Sequence, residues 1–144
     1  MRLRILAVGK IKEAFTKDWI NEYLKRLNKY CKLEIIEIKE SNKKIEGFEI
    51  IKHIKDNELV VAIERVGESL KSEDFAEWMK KHFIERNICF ITGGCEGLSP
   101  EVLSKSHLHL SLSNMTFTHQ MARVILLEQI YRAFTIIKGE SYHK

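Results

Sequence analysis

Gly93, Gly94 and Gly97 place three glycines in five positions, directly after the apolar and β-branched run at residues 88–92. Glycine admits positive φ and lets a ligand approach where a Cβ would stand. Ser99-Pro100-Glu101 then restarts a helix, with serine as N-cap, proline at the first helical position and an acid in the first turn. Strand, glycine turn and helix start suit a ligand crevice at the carboxyl end of a sheet. A tight turn without a ligand fits the same local pattern. The spacing G-G-x-x-G after a late strand differs from the dinucleotide fingerprint G-x-G-x-x-G, which argues against a nicotinamide enzyme.

Two further residues carry chemistry. His119 stands at the start of the last helix, where an imidazole can donate or accept a proton near neutral pH, or simply cap the helix. Arg123 is the lone charge within residues 121–127. An unpaired guanidinium is costly in such a setting. It therefore pairs with a carboxylate, or its planar fork meets a phosphate or a substrate base. His107 and His109 share a strand face, but no further ligand lies at sensible spacing, so they read as structural and no metal is expected.

The elements that must position these groups alternate. Residues 3–8 form an apolar strand closed by Gly9, and Phe15, Trp19, Tyr23, Leu24 and Leu27 recur at helical spacing over residues 14–29. Leu33 to Ile38 supply a second strand. A short helix carries Ile45, Phe48, Ile51 and Ile54, weakened by Gly47. Residues 59–63 form a strand covered on both sides, after which Gly67 is expected to turn the chain. Ser72-Glu73-Asp74 caps a helix bearing Phe75, Met79 and Phe83. Leu108, Leu110 and Leu112 alternate with polar residues as a last strand. The class is α/β with a mostly parallel sheet flanked by helices. The final helix, residues 120–137, is apolar around most of its circumference, a surplus that a two-fold homodimer would bury.

The chain has 144 residues, 44% of them hydrophobic, with one proline and seven glycines. One domain spanning residues 1–144 is expected, with no linker or repeat. The first apolar run is too short for a signal segment or a membrane span, so a cytoplasmic protein without membrane attachment is expected. Three cysteines without a C-x-x-C pair signal neither a disulfide framework nor a zinc site. A net charge of +4 is compatible with a polyanionic partner.

Several stretches together resemble one family. They are Leu6-Ala7-Val8-Gly9-Lys10, the turn Gly93-Gly94-Cys95-Glu96-Gly97-Leu98, the run Ser111-Leu112-Ser113-Asn114-Met115-Thr116-Phe117-Thr118-His119-Gln120, and the ending Glu128-Gln129-Ile130-Tyr131-Arg132-Ala133-Phe134 with Tyr142-His143-Lys144. The likeness, from end to end of the chain, is to the bacterial large-subunit ribosomal RNA methyltransferase H family, small enzymes of the SPOUT class. Residues 40–57 are shorter than is usual there, Thr118 stands where proline normally precedes the histidine, and Cys95 fills a variable site.

The resemblance implies a C-terminal trefoil knot, a homodimer, S-adenosyl-L-methionine as cofactor, and methyl transfer to N3 of a pseudouridine in the large-subunit (23S) ribosomal RNA of the ribosome. It implies cofactor contacts at Ile63, Gly93, Leu112, Ser113, Asn114, Met115, Thr116 and Phe117. By their chemistry and position Arg123 and His119 are the catalytic candidates, and the resemblance gives Tyr142 and His143 a share in the methyl-accepting pocket. Arg2, Arg4, Lys10, Lys12 and Lys17 offer contacts to RNA phosphates, or form a solvated face. A non-catalytic ribosome-binding factor that keeps the fold would use overlapping residues and is the alternative.

Overall fold

The computed structural model describes residues 2–144. Strands and helices alternate as β1 (Arg2–Val8), α1 (Ala14–Leu27), β2 (Lys32–Ile38), α2 (Lys43–His53), β3 (Glu58–Ser69), α3 (Ser72–Phe83), β4 (Asn87–Thr92), α4 (Pro100–Ser104), β5 (Leu108–Ser111) and α5 (His119–Ile137). The five strands form one sheet in the order β2-β1-β4-β3-β5. Every neighbouring pair is parallel, as the continuous apolar runs of buried strands require.

Alternation along each strand divides the core. Leu3, Ile5 and Ala7 join Ile20 of α1, Met79 of α3 and Leu127 of α5 on one face. Leu6 and Val8 join Ile50 of α2 and Val102 of α4 on the other. The period of two in side-chain direction therefore assigns three helices to one side and two to the other.

Three local features depart from the pattern read in the sequence. β3 does not turn at Gly67 but continues to Ser69. Ile63 and Glu68 both register with Leu110, so residues 64–67 bulge out between them. Gly67 is needed for proximity, since a Cβ there would lie 2.7 Å from the His109 carbonyl oxygen. Ser72 does not cap α3: Lys71 holds the N-cap position, and Ser72 Oγ donates instead to Gln129 Oε1 at 2.7 Å. Finally, α5 is covered by its own chain along most of its length, with only Met121 among its large apolar residues strongly exposed. Phe15 and Trp19 of α1, which packs against α5, are exposed apolar residues, as are Ile45, Phe48, Val66, Ile84 and Met115 elsewhere.

Gly47 sits inside α2 despite its poor helix propensity, because a Cβ there would collide with Ser99 Oγ. Ser99 and Thr118 each cap a helix, accepting hydrogen bonds from the N–H groups of Val102 (3.3 Å) and Met121 (3.2 Å). Thr118 thus anchors the first turn of α5 by a side-chain bond, where the resemblance leads one to expect a proline. No helix is long and apolar enough to cross a membrane among the described residues.

Candidate functional site

The carboxyl ends of β4 and β5, with the bulge in β3, open into a cavity of about 800 Å³. Each wall follows from a local cause. Ile63 pairs with Thr92 at the end of the parallel ladder, so both reach the rim together. Beyond Thr92 the chain folds tightly: Gly97 N–H donates to the Gly94 carbonyl at 3.1 Å, and Gly97 takes φ 79°. Gly93 packs so closely that a Cβ would lie 2.8 Å from the Gly97 carbonyl carbon. In this turn only Gly97 uses the left-handed region, whereas Gly93 is small because backbone faces it.

The opposite wall is the irregular segment after β5. Ser111 Oγ donates to the carbonyls of Arg65 (2.8 Å) and Ser113 (3.0 Å), and Ser113 Oγ accepts from Met115 N–H at 3.0 Å. Those bonds tie the β3 bulge to the segment that follows β5. Of the residues implied as cofactor contacts, Ile63, Gly93, Leu112, Ser113, Met115, Thr116 and Phe117 line the cavity. Asn114 is exposed and off the wall.

His119 also lines the cavity. Its Nε2 is buried without a hydrogen-bond partner, 3.9 Å from Glu40 Oε1. Arg123 lies behind it at 2% exposure and does not reach the wall. Of the partners left open by the sequence, the structure supplies a carboxylate: Nη1 donates to Glu37 Oε2 at 2.7 Å, and Nη2 donates to the Gly9 carbonyl at 2.9 Å.

The C-terminal residues sit elsewhere. The Tyr142 ring meets Tyr131 edge-on with centroids 4.8 Å apart, and the Arg132 guanidinium stacks over it at 4.8 Å. Burial, and then a hydrogen bond to Tyr23, push the Tyr142 hydroxyl up to about 12. His143 accepts from Arg132 Nη1 at 3.0 Å and bonds through Nε2 to Glu73 Oε1 at 2.7 Å. That bond holds the Glu73 carboxyl below its usual range. Neither Tyr142 nor His143 lines the cavity.

Glu64, Arg65 and Glu96 on the cavity wall were not singled out in the sequence. The signal for the first two was a charged pair following a fully apolar strand. Arg4, one of the basic N-terminal group, is not free for a phosphate: its Nη1 donates to both carboxylate oxygens of buried Glu58, at 2.8 and 2.9 Å. His107 Nδ1 accepts from Val60 N–H at 2.9 Å, and His109 Nε2 bonds the Leu103 carbonyl at 2.8 Å, so backbone groups occupy both rings. Among the described residues no group of three His, Cys, Asp or Glu is placed to hold a metal ion.

A family model described as predicted SPOUT methyltransferase matches residues 1–143. A ribosomal RNA large subunit methyltransferase H of Clostridium botulinum (strain Kyoto / Type A2) is 50% identical, with 100% of both chains covered. The protein of the same name from Acetivibrio thermocellus is 43% identical, again over 100% of both chains. Among solved structures, a probable methylase family protein from Haemophilus influenzae Rd KW20 matches with a TM-score of 0.58 at 14% identity. That alignment covers 95% of this chain and 66% of the other, and it bears on the fold alone.

Proposed function

The chain belongs to the SPOUT methyltransferase family, and from its cavity we propose that it transfers a methyl group from S-adenosylmethionine to N3 of a pseudouridine in large-subunit ribosomal RNA. The observation that carries this reading is the meeting of the Gly93 turn with residues 112–117 around one cavity at the carboxyl ends of the strands.

The cavity's residues fit that donor. Ile63, Leu98, Leu112 and Phe117 offer apolar walls for an adenine ring, while Glu64 and Glu96 offer carboxylates to ribose hydroxyls or to an ammonium group. When bound, S-adenosylmethionine supplies an electrophilic methyl on a sulfonium. The residues of the chain do the rest. The walls hold donor and acceptor in line, an alignment that in well-oriented intramolecular reactions is worth roughly 7–11 kcal/mol. His119 is positioned on the wall to take or give a proton at the acceptor base. Arg123 acts from behind, fixing the Gly9 carbonyl against the His119 side of the cavity.

The working unit is a homodimer in the cytoplasm. Phe15 and Trp19 are 73% and 47% exposed, and Met121 is 40% exposed. The Lys12 N–H, donating to Gln120 Oε1 at 3.3 Å, brings these ends of α1 and α5 side by side. A second copy would cover that face. That Tyr142 and His143 lie outside the cavity of their own chain supports a role for them at the cavity of the partner subunit. The C-terminal segment threads as the trefoil knot of the SPOUT class, within a single domain of residues 1–144.

The test has two arms. Titration calorimetry with S-adenosylmethionine should show saturable binding. Ribosomes from a strain lacking the modification should then take up one methyl group at a large-subunit pseudouridine. Binding without transfer would leave a ribosome-associated factor, and no binding would end the reading.

A further inference from the structure

Glu40 lies in the loop between β2 and α2 and is not part of the cavity wall, yet three observations tie it to the group that is. Its Oε1 stands 3.9 Å from His119 Nε2, an atom that is buried and has no hydrogen-bond partner. A Cβ built at Gly9 would lie 2.9 Å from that same Nε2 and 3.1 Å from Glu40 Oε1, so ring and carboxylate converge on the space that glycine leaves open. Gly9 itself takes φ 96°, which a side chain would resist, so both its backbone and its missing Cβ keep that space clear.

The loop is also held by two bonds just after Glu40. Ser41 N–H donates to Glu46 Oε2 at 2.8 Å, from a carboxylate buried in α2. Lys43 N–H donates to Glu96 Oε2 at 3.2 Å, and Glu96 belongs to the glycine turn that lines the cavity. The segment carrying Glu40 is therefore braced against the wall at which the methyl donor is proposed to bind.

We propose that Glu40 is a positioning residue that keeps the His119 proton on Nε2 and so leaves Nδ1 as the acceptor for the N3 proton of the substrate base. The inference rests on the methyltransferase reading above and assigns it a proton acceptor. A carboxylate beside one ring nitrogen favours the tautomer with hydrogen on that nitrogen, which makes the other the base. Nδ1 is not among the buried atoms lacking a partner, whereas Nε2 is. In the step, the N3–H bond of the imide breaks and an N–H bond forms at Nδ1. The electron pair left on N3 would form the new N–CH3 bond as the donor's S–CH3 bond breaks and its pair stays on sulfur, and the imidazolium later returns its proton to water. The separation of 3.9 Å is longer than a hydrogen bond, as catalytic contacts often are before substrate arrives.

The other charged groups around the ring are the Arg123–Glu37 pair beyond Gly9 and, along the cavity wall, Glu64, Arg65 and Glu96.

The experiment pairs spectroscopy with kinetics on the intact chain. Long-range 15N–1H correlation spectra of the protein without donor should show His119, identified by its loss in His119→Gln, as the Nε2–H tautomer. In Glu40→Gln that signal should move toward a mixture. On undermodified ribosomes, Glu40→Gln should lower kcat by roughly 10- to 100-fold near neutral pH, with KM and donor affinity unchanged. The deficit should shrink as pH rises and the imide ionises unaided, and Glu40→Asp should recover part of the rate. A His119 found with its proton on Nδ1, or a Glu40→Gln protein with wild-type tautomer and wild-type pH profile, overturns the proposal. Wild-type protein that moves no methyl group would instead sink the broader reading, and the proposal with it.

Discussion

Arg123 on α5 and Gly9 at the end of β1 are joined by a 2.9 Å hydrogen bond from Nη2 to the Gly9 carbonyl, across 114 residues of chain. The same guanidinium reaches Glu37 on the neighbouring strand β2. One side chain thus clamps the last helix to the ends of two adjacent strands, next to the glycine on which His119 packs.

Arg123→Ala leaves a buried carbonyl without its donor, at a cost of about 1–3 kcal/mol, so Tm should fall by roughly 3–10 °C. Glu37, 40% exposed, can turn to water and limits the loss. Below the melting range, turnover should drop while donor affinity measured by calorimetry stays near wild type. An unchanged rate would remove Arg123 from the machinery.

Gly93→Val puts side-chain atoms where the Gly97 backbone stands 2.8 Å from the first added carbon. Neither side of that contact is flexible, so the turn must open. Donor binding should vanish in calorimetry while circular dichroism still shows the α/β fold. Retained affinity would mean that the turn is not part of the donor site.

The three thiols should differ sharply in reactivity. Burial pushes Cys31 up to about 11 and Cys89 up to about 12, whereas Cys95 is exposed on the cavity wall. Near neutral pH a thiol reagent should label one cysteine in the native protein and all three after unfolding. S-adenosylmethionine should slow the labelling of Cys95, read by mass spectrometry of the tryptic peptide. Equal rates with and without it would place the donor elsewhere.

Alkaline pH should release the C-terminal segment. The folded Tyr142 hydroxyl ionises near 12 against an ordinary 10.0, so the folded state holds its proton where the unfolded state has lost it. That contribution to stability is complete below pH 10 and is lost as pH climbs toward 12. An absorbance titration should show a latest-ionising tyrosine that Tyr142→Phe removes, with Tyr30 also raised by burial and its bond to Glu140.

Trp19→Glu, alone or with Phe15→Asp, should turn a dimer into a monomer in sedimentation, since each puts a charge on the exposed apolar face of α1. A dimer that survives both changes would have to use another surface.

Which features were legible in the chain follows from the range of their causes. Strands β1, β3 and β4 and the cap at Ser99 depend on residues a few positions apart, and periodicity or cap chemistry exposes them, whereas the cap at Thr118 emerged only in the structure. Ser72 looked equally good as a cap, yet Gln129, reached only through packing of α3 on α5, took its hydroxyl. Gly67 looked like a turn because composition cannot distinguish a glycine that bends the chain from one that admits a neighbouring backbone.

The amino-acid order by itself determined the α/β alternation, the glycine turn, the polar run before His119 and the family likeness, since each rests on local spacing or motif. Only the tertiary structure decided that Arg123 meets Glu37, that Glu40 faces His119, and that the C-terminal tyrosine and histidine lie away from their own cavity. Those relations join residues far apart in the chain. A parallel sheet brings such residues together through its crossover connections, and the hydrophobic periodicity that builds each element says nothing about which charged groups will meet at the strand ends.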